Sequence, residues 1–151
     1  MAPASKPRGW QLADRLWIMG TPHSGDVERL GITAVVRVAR RPVDPAVASV
    51  AAVRHVPLPD GARVDSAAVM NAARAAELLW RRGETVLITC MAGRNRSALV
   101  AAVALVRLAL IPPDSVVAHI RACRPRALDN PHALAWLERW LTLTQQGNEA
   151  L

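Results

Sequence analysis

The stretch from Thr85 to Ile111 constrains the fold more than any other part of the chain. Thr85 to Thr89 is a short run rich in β-branched residues, and Ala98 to Val106 is an unbroken apolar run. Only Cys90-Met91-Ala92-Gly93-Arg94-Asn95-Arg96-Ser97 separates them. The first segment predicts a buried strand, and the second, extended over Ser97 to Ile111, predicts a helix packed on all sides. A strand that feeds a buried helix through so short a loop belongs in a parallel sheet covered by helices. The apolar run is too short to span a bilayer, and Arg107 follows it.

The rest of the chain keeps that alternation. Trp10 to Met19 predicts a strand or hairpin, and Thr21-Pro22 the start of a helix that stops near Gly31. Ile32 to Ala39 predicts a buried strand interrupted only by Arg37, then Ala46 to Ala52 a short helix and Val53 to Leu58 another strand. Ser66 is a plausible N-cap for a helix to about Arg82, ended by Gly83. Pro112 and Pro113 stop the apolar helix. Asp114 or Ser115 caps the next one, to about Cys123, and Asn130-Pro131 opens the last. The expectation is a single-domain α/β sandwich with a central, mostly parallel, twisted sheet flanked by helices. Its domain covers residues 10–142, with a loose tail at 1–9 and a fraying end at 143–151. At 151 residues the chain can bury one sizeable core.

Charge bounds the partners. The net charge is +7, carried almost wholly by arginine, with Lys6 the only lysine. That sign favours anionic partners. Two cysteines, Cys90 and Cys123, do not make a disulfide scaffold. Met1 to Arg8 is polar with no apolar stretch behind it, so a cytoplasmic protein without membrane insertion is expected.

The loop between the strand and the apolar helix carries the chemistry. It can turn successive N–H groups inward at the positive end of a helix, making an anion nest. Gly93 allows a turn that side chains would obstruct. Arg96 would close the ring with a planar fork matched to two phosphoryl oxygens. Cys90 at its floor would feel the same field, lowering its pKa and making a nucleophile aimed at phosphorus. His23, His55, His119 and His132 are scattered without metal-ligand spacing.

This segment resembles the signature of the cysteine-dependent protein tyrosine phosphatases, Cys-x5-Arg-Ser/Thr. Its late position, and Val56-Pro57-Leu58-Pro59-Asp60-Gly61 upstream, make it similar to the small dual-specificity branch. Ile120-Arg121-Ala122-Cys123-Arg124-Pro125 is similar to that branch's helix ending in an Arg-Pro pair. The resemblance implies a dual-specificity phosphatase-like fold and a phosphocysteine mechanism with no metal or other cofactor. It implies Cys90 as nucleophile, Arg96 as phosphate clamp, Asp60 as general acid and Ser97 as donor to the departing sulfur. Met91, Ala92, Gly93, Arg94 and Asn95 would bind the phosphoryl group, and Arg40, Arg41 and Arg63 would form a basic rim. The expected partner is a phosphorylated protein or another phosphomonoester, bound by a monomer; nucleic acid is the less favoured partner.

Three alternatives stay open. A basic residue at Arg94 is similar to lipid-directed relatives, and Asn95-Arg96-Ser97 to RNA 5′-phosphatases. A phosphate-binding pseudophosphatase is the third, because the position before the nucleophile, where the family usually has the histidine that orients the loop and tunes the thiol, is Thr89.

Overall fold

The structure is a computed structural model and describes residues 8–147. A hairpin of β1 (Gly9–Ala13) and β2 (Leu16–Met19) opens it, followed by α1 (Ser24–Arg29) and β3 (Ala34–Arg37). Then come α2 (Pro45–Ala48), β4 (Ala52–His55), α3 (Ser66–Arg81), β5 (Val86–Thr89), α4 (Arg96–Arg107), α5 (Val116–Cys123) and α6 (Pro131–Gln145). The five strands form one sheet in the order β1-β2-β5-β3-β4. The pair β1–β2 is antiparallel and the other pairs are parallel. This is the α/β architecture expected.

Strand alternation sends side chains to two apolar layers. Val86 and Ile88 of β5, with Ala34 and Val36 of β3, face a large core built with α3, α4, α5 and α6. Leu87 and Val35 point the other way, into a smaller layer with Val27 of α1 and Val47 of α2. Helix α4 is buried from Ser97 to Leu105, which accounts for its apolar sequence. No helix among the described residues is long and apolar enough to cross a membrane.

Several boundaries differ from expectation. Strand β4 ends at His55, not Leu58: Val56 and Leu58 still donate to the Arg37 and Val38 carbonyls, but two residues there pass one of β3, so the register slips. Asp65, not Ser66, caps α3, its carboxylate accepting from the Ala68 N–H at 3.1 Å. Helix α4 starts one residue early, at Arg96, and stops at Arg107, well before the prolines, because Ala109 turns the chain at φ 57°. Asn130 caps α6, as expected, whereas Ser115 holds the N-cap position of α5 with its hydroxyl donating to the Pro112 carbonyl instead of accepting from the helix. Residues 1–7 of the expected tail over 1–9, and 148–151 of the expected end over 143–151, lie outside the described residues. Where they are described, Gly9 already belongs to β1, and α6 runs on to Gln145 because Trp140 and Leu141 anchor its last turns in the core.

The consequence for function lies at one sheet edge. Thr89, the last residue of β5, pairs with Met19 of β2 on one side and Arg37 of β3 on the other. Three strands therefore end together beneath whatever follows Thr89, as ligand crevices of open α/β sheets require.

Candidate active site

Cys90 follows β5 at that edge and is 3% exposed. The loop behind it turns back on the end of β2. The Cys90 N–H donates to the Met19 carbonyl at 3.3 Å, and Ala92 bridges to Gly20. Two glycines make this approach possible. A Cβ on Gly93, which sits at φ 65°, would lie 2.5 Å from the Met19 carbonyl carbon; one on Gly20 would lie 2.8 Å from the Met91 oxygen.

The loop carbonyls face outward and its amides inward. Arg124 donates to the carbonyls of Gly93 at 3.3 Å and Ala92 at 3.4 Å, and its guanidinium stacks 4.2 Å over Trp10. On the inner side the Gly93 N–H points at the Cys90 sulfur, 3.2 Å away, and the Ser97 hydroxyl lies 3.2 Å from the same atom. Burial pushes the Cys90 thiol up. The Ser97 hydroxyl and the amides of Ser97, Arg94 and Gly93 outweigh it, and the thiol lies below its ordinary value.

Arg96 is 12% exposed at the side chain and spans the gap between this loop and the Leu58–Gly61 segment. It donates to the Leu58 carbonyl at 3.4 Å and pairs with the Asp60 carboxylate at 3.6 Å. Asp60, 67% exposed, thus stands over the loop mouth on a turn closed by the Gly61 N–H. A small cleft of about 20 Å³ opens beside them, lined among others by Leu58, Asp60, Arg63, Arg96 and Asn130.

Of the residues expected at the site, Ser97 and Gly93 lie against the Cys90 sulfur, Arg96 pairs with Asp60, and Asp60, Asn95 and Arg96 line the neighbouring cleft, whose lining does not include Cys90. Arg63 lines the cleft, while Arg40 and Arg41 are exposed just past the end of β3. Arg94 points sideways, its Nε 3.2 Å from the Asp129 carboxylate. His55 and His119 donate from Nε2 to the carbonyls of Ala39 and Leu12 at 2.7 and 2.6 Å. Among the described residues no cluster of His, Cys, Asp and Glu could hold a metal ion.

Sequence reasoning passed over three supports. Asn130 caps α6 and donates to the Gly61 carbonyl at 3.0 Å, while its own N–H donates to the Asn95 side chain at 2.9 Å. It therefore ties the Asp60 turn to the cysteine loop; its Asn-Pro context signalled only a cap. Asp129 receives the Asn95 amide at 3.0 Å. Arg37, read as an interruption of a strand, lies fully buried under Thr89 and Cys90.

No family model matches the sequence. A protein tyrosine phosphatase PRL-1 of Trypanosoma cruzi is 38% identical over 66 residues, which are 44% of this chain and 37% of that protein. The whole fold has solved counterparts. A mouse protein described as a dual-specificity phosphatase, crystallised with zinc tungstate, superposes at a TM-score of 0.82 with 28% identity, covering 97% of this chain and 95% of the other. Sequence and fold together support a place in the cysteine-based protein tyrosine phosphatase superfamily. Human DUSP28 is a further structural relative, at a TM-score of 0.80 and 26% identity over 95% of this chain and 99% of its own. The fold is that of the dual-specificity phosphatases.

Proposed function

We propose that the protein is a phosphomonoester hydrolase that works through a phosphocysteine intermediate at Cys90, acting on phosphotyrosine and phosphoserine or phosphothreonine in proteins. The catalytic unit is residues 10–142, acting as a monomer. One observation carries the reading. The sulfur of Cys90 accepts from the Gly93 amide and lies 3.2 Å from the Ser97 hydroxyl, and Arg96 of the same loop pairs with Asp60.

The chemistry follows from those positions. The thiolate attacks phosphorus in line as the P–O bond to the leaving group breaks. The loop amides and the Arg96 fork hold the equatorial oxygens, so catalysis is mainly positioning and electrostatics. Asp60 gives its proton to the departing oxygen, then takes one from the water that hydrolyses the S–P bond. Ser97 donates to the sulfur as it leaves. The chain has no Tyr or Phe to wall a deep slot, which supports a shallow pocket accepting both kinds of phosphorylated side chain. Arg40, Arg41 and Arg63 give its surroundings a basic rim suited to acidic sequences.

Turnover of an aryl phosphate tests the reading. Wild-type protein should hydrolyse it with or without EDTA and be inhibited competitively by vanadate. Cys90→Ser should lose turnover and keep vanadate binding. Activity that survives Cys90→Ser, or disappears with EDTA, overturns the mechanism; phosphopeptides, phosphoinositides and 5′-triphosphate RNA in parallel then place the substrate.

A further inference from the structure

Arg37 is the largest fully buried side chain among the described residues, with no exposed surface. A guanidinium stripped of water normally demands a carboxylate partner. None pairs with Arg37 among the described residues. Its donors instead go to the underside of the cysteine loop and the chain beside it. Nη1 reaches the Cys90 carbonyl at 2.9 Å and the Thr89 hydroxyl at 3.2 Å. Nη2 reaches the Thr21 hydroxyl at 3.3 Å and the Met91 sulfur at 3.6 Å, and Nε reaches the Arg41 carbonyl at 2.8 Å. The Thr89 hydroxyl in turn donates to the Gly20 carbonyl.

We infer that Arg37 is a positioning residue for Cys90. Its buried guanidinium, bridged to Thr89 and the Cys90 carbonyl, supplies from β3 the orientation and positive charge that the superfamily usually draws from a histidine at the position of Thr89. The inference rests on the reading of Cys90 as a thiolate nucleophile.

The charges around Cys90 show why a buried cation without a carboxylate is tolerated. Arg37 approaches from β3, Arg96 from α4 and Arg124 from the end of α5. Asp60 is engaged by Arg96, and Asp129 by Arg94. Arg37 reaches Cys90 at its carbonyl, 2.9 Å away, and interacts favourably with the charge of its thiolate. Burial lowers the pKa of Arg37, the charge of Cys90 raises it, and the like charges of Arg96 and Arg41 lower it again. The substitution also changes how the site responds to pH. A histidine titrates near neutrality, whereas a guanidinium keeps its charge throughout the range in which enzymes work.

The pH dependence of iodoacetate inactivation reads the thiolate directly, and aryl phosphate hydrolysis is followed in the same samples. Wild-type protein should show an inactivation midpoint below that of a free thiol. Arg37→Gln, shown to be folded by circular dichroism, should raise that midpoint by about one pH unit or more and reduce kcat at neutral pH. Arg37→Lys keeps a charge without the fork, so its midpoint should rise less while kcat still falls. If Arg37→Gln does not fold, Thr89→Val cuts the same bridge, and its midpoint should rise as well. An unmoved midpoint in whichever of these two variants folds overturns the inference, as does a wild-type midpoint near 8.5, about that of a free thiol. Raised midpoints in a protein that hydrolyses nothing would retain Arg37 as thiolate support and discard the phosphatase reading. Hydrolysis with unmoved midpoints would do the reverse.

Discussion

Gly93→Ala tests the packing of the cysteine loop against the end of β2. The new methyl carbon would lie 2.5 Å from the Met19 carbonyl carbon and 2.6 Å from the Gly20 nitrogen. Both are backbone atoms, and Met19 is pinned by pairing with Thr89, so neither side yields as a flexible side chain would. Overpacking of this kind costs about 1–3 kcal/mol. The φ of 65° adds about 1–2 kcal/mol for a residue with a Cβ. Together the loss is roughly 2–5 kcal/mol, which lowers Tm by about 5–15 °C in a chain of this size. The loop can relieve the clash only by lifting off β2, which carries the Gly93 amide away from the Cys90 sulfur and should weaken vanadate binding at least about tenfold. Gly25→Ala in α1 is the control. Nothing lies within 4 Å of its added carbon, and helix propensity should raise stability by about 0.5–1 kcal/mol. Calorimetry and vanadate titration of the two variants decide the matter. A Gly93→Ala protein that melts with the wild type and binds vanadate equally would refute this loop packing.

Asp60→Ala should cost roughly 10²–10⁴ in turnover on alkyl phosphates and little on aryl phosphates whose leaving oxygen needs no proton; equal losses on both would make Asp60 a turn residue only. Ser97→Ala removes the hydroxyl 3.2 Å from the Cys90 sulfur. A hydrogen bond to a charged group is worth about 1.5–3 kcal/mol, so the thiol should titrate about one to two units higher. In rapid-mixing experiments that variant should release an initial burst of phenol and then turn over slowly, because the hydroxyl also assists sulfur as it leaves. Uniformly slow kinetics with no burst would place its effect before the intermediate.

The strand–loop–helix around Cys90 was legible because each signal there is local: a β-branched run, a glycine, then an apolar run. The acid turn at Asp60 was legible only through its likeness to a family. Boundaries failed where two residues compete for one task. Asp65 and Ser66 are both good caps, and only the observed bond from Ala68 decides between them. The end of α4 was hidden because Ala109 takes a left-handed turn that sequence normally marks with glycine. Arg37 was hidden for a different reason. Its partners, Thr89 and Cys90, lie 52 and 53 positions away in the chain. Only the register of β3 against β5 brings them together, and no local pattern encodes that register.

The stacking of Arg124 on Trp10 gives this loop an optical signal of its own. The same guanidinium that grips the carbonyls of Ala92 and Gly93 rests 4.2 Å above an indole ring. With no tyrosine or phenylalanine anywhere in the chain, every ultraviolet-excited emission comes from its five tryptophans. Any oxyanion that shifts the loop must move the cation over one of those rings. An oxyanion that shifts the loop should therefore change the emission of Trp10, and Trp10→Leu should erase that change.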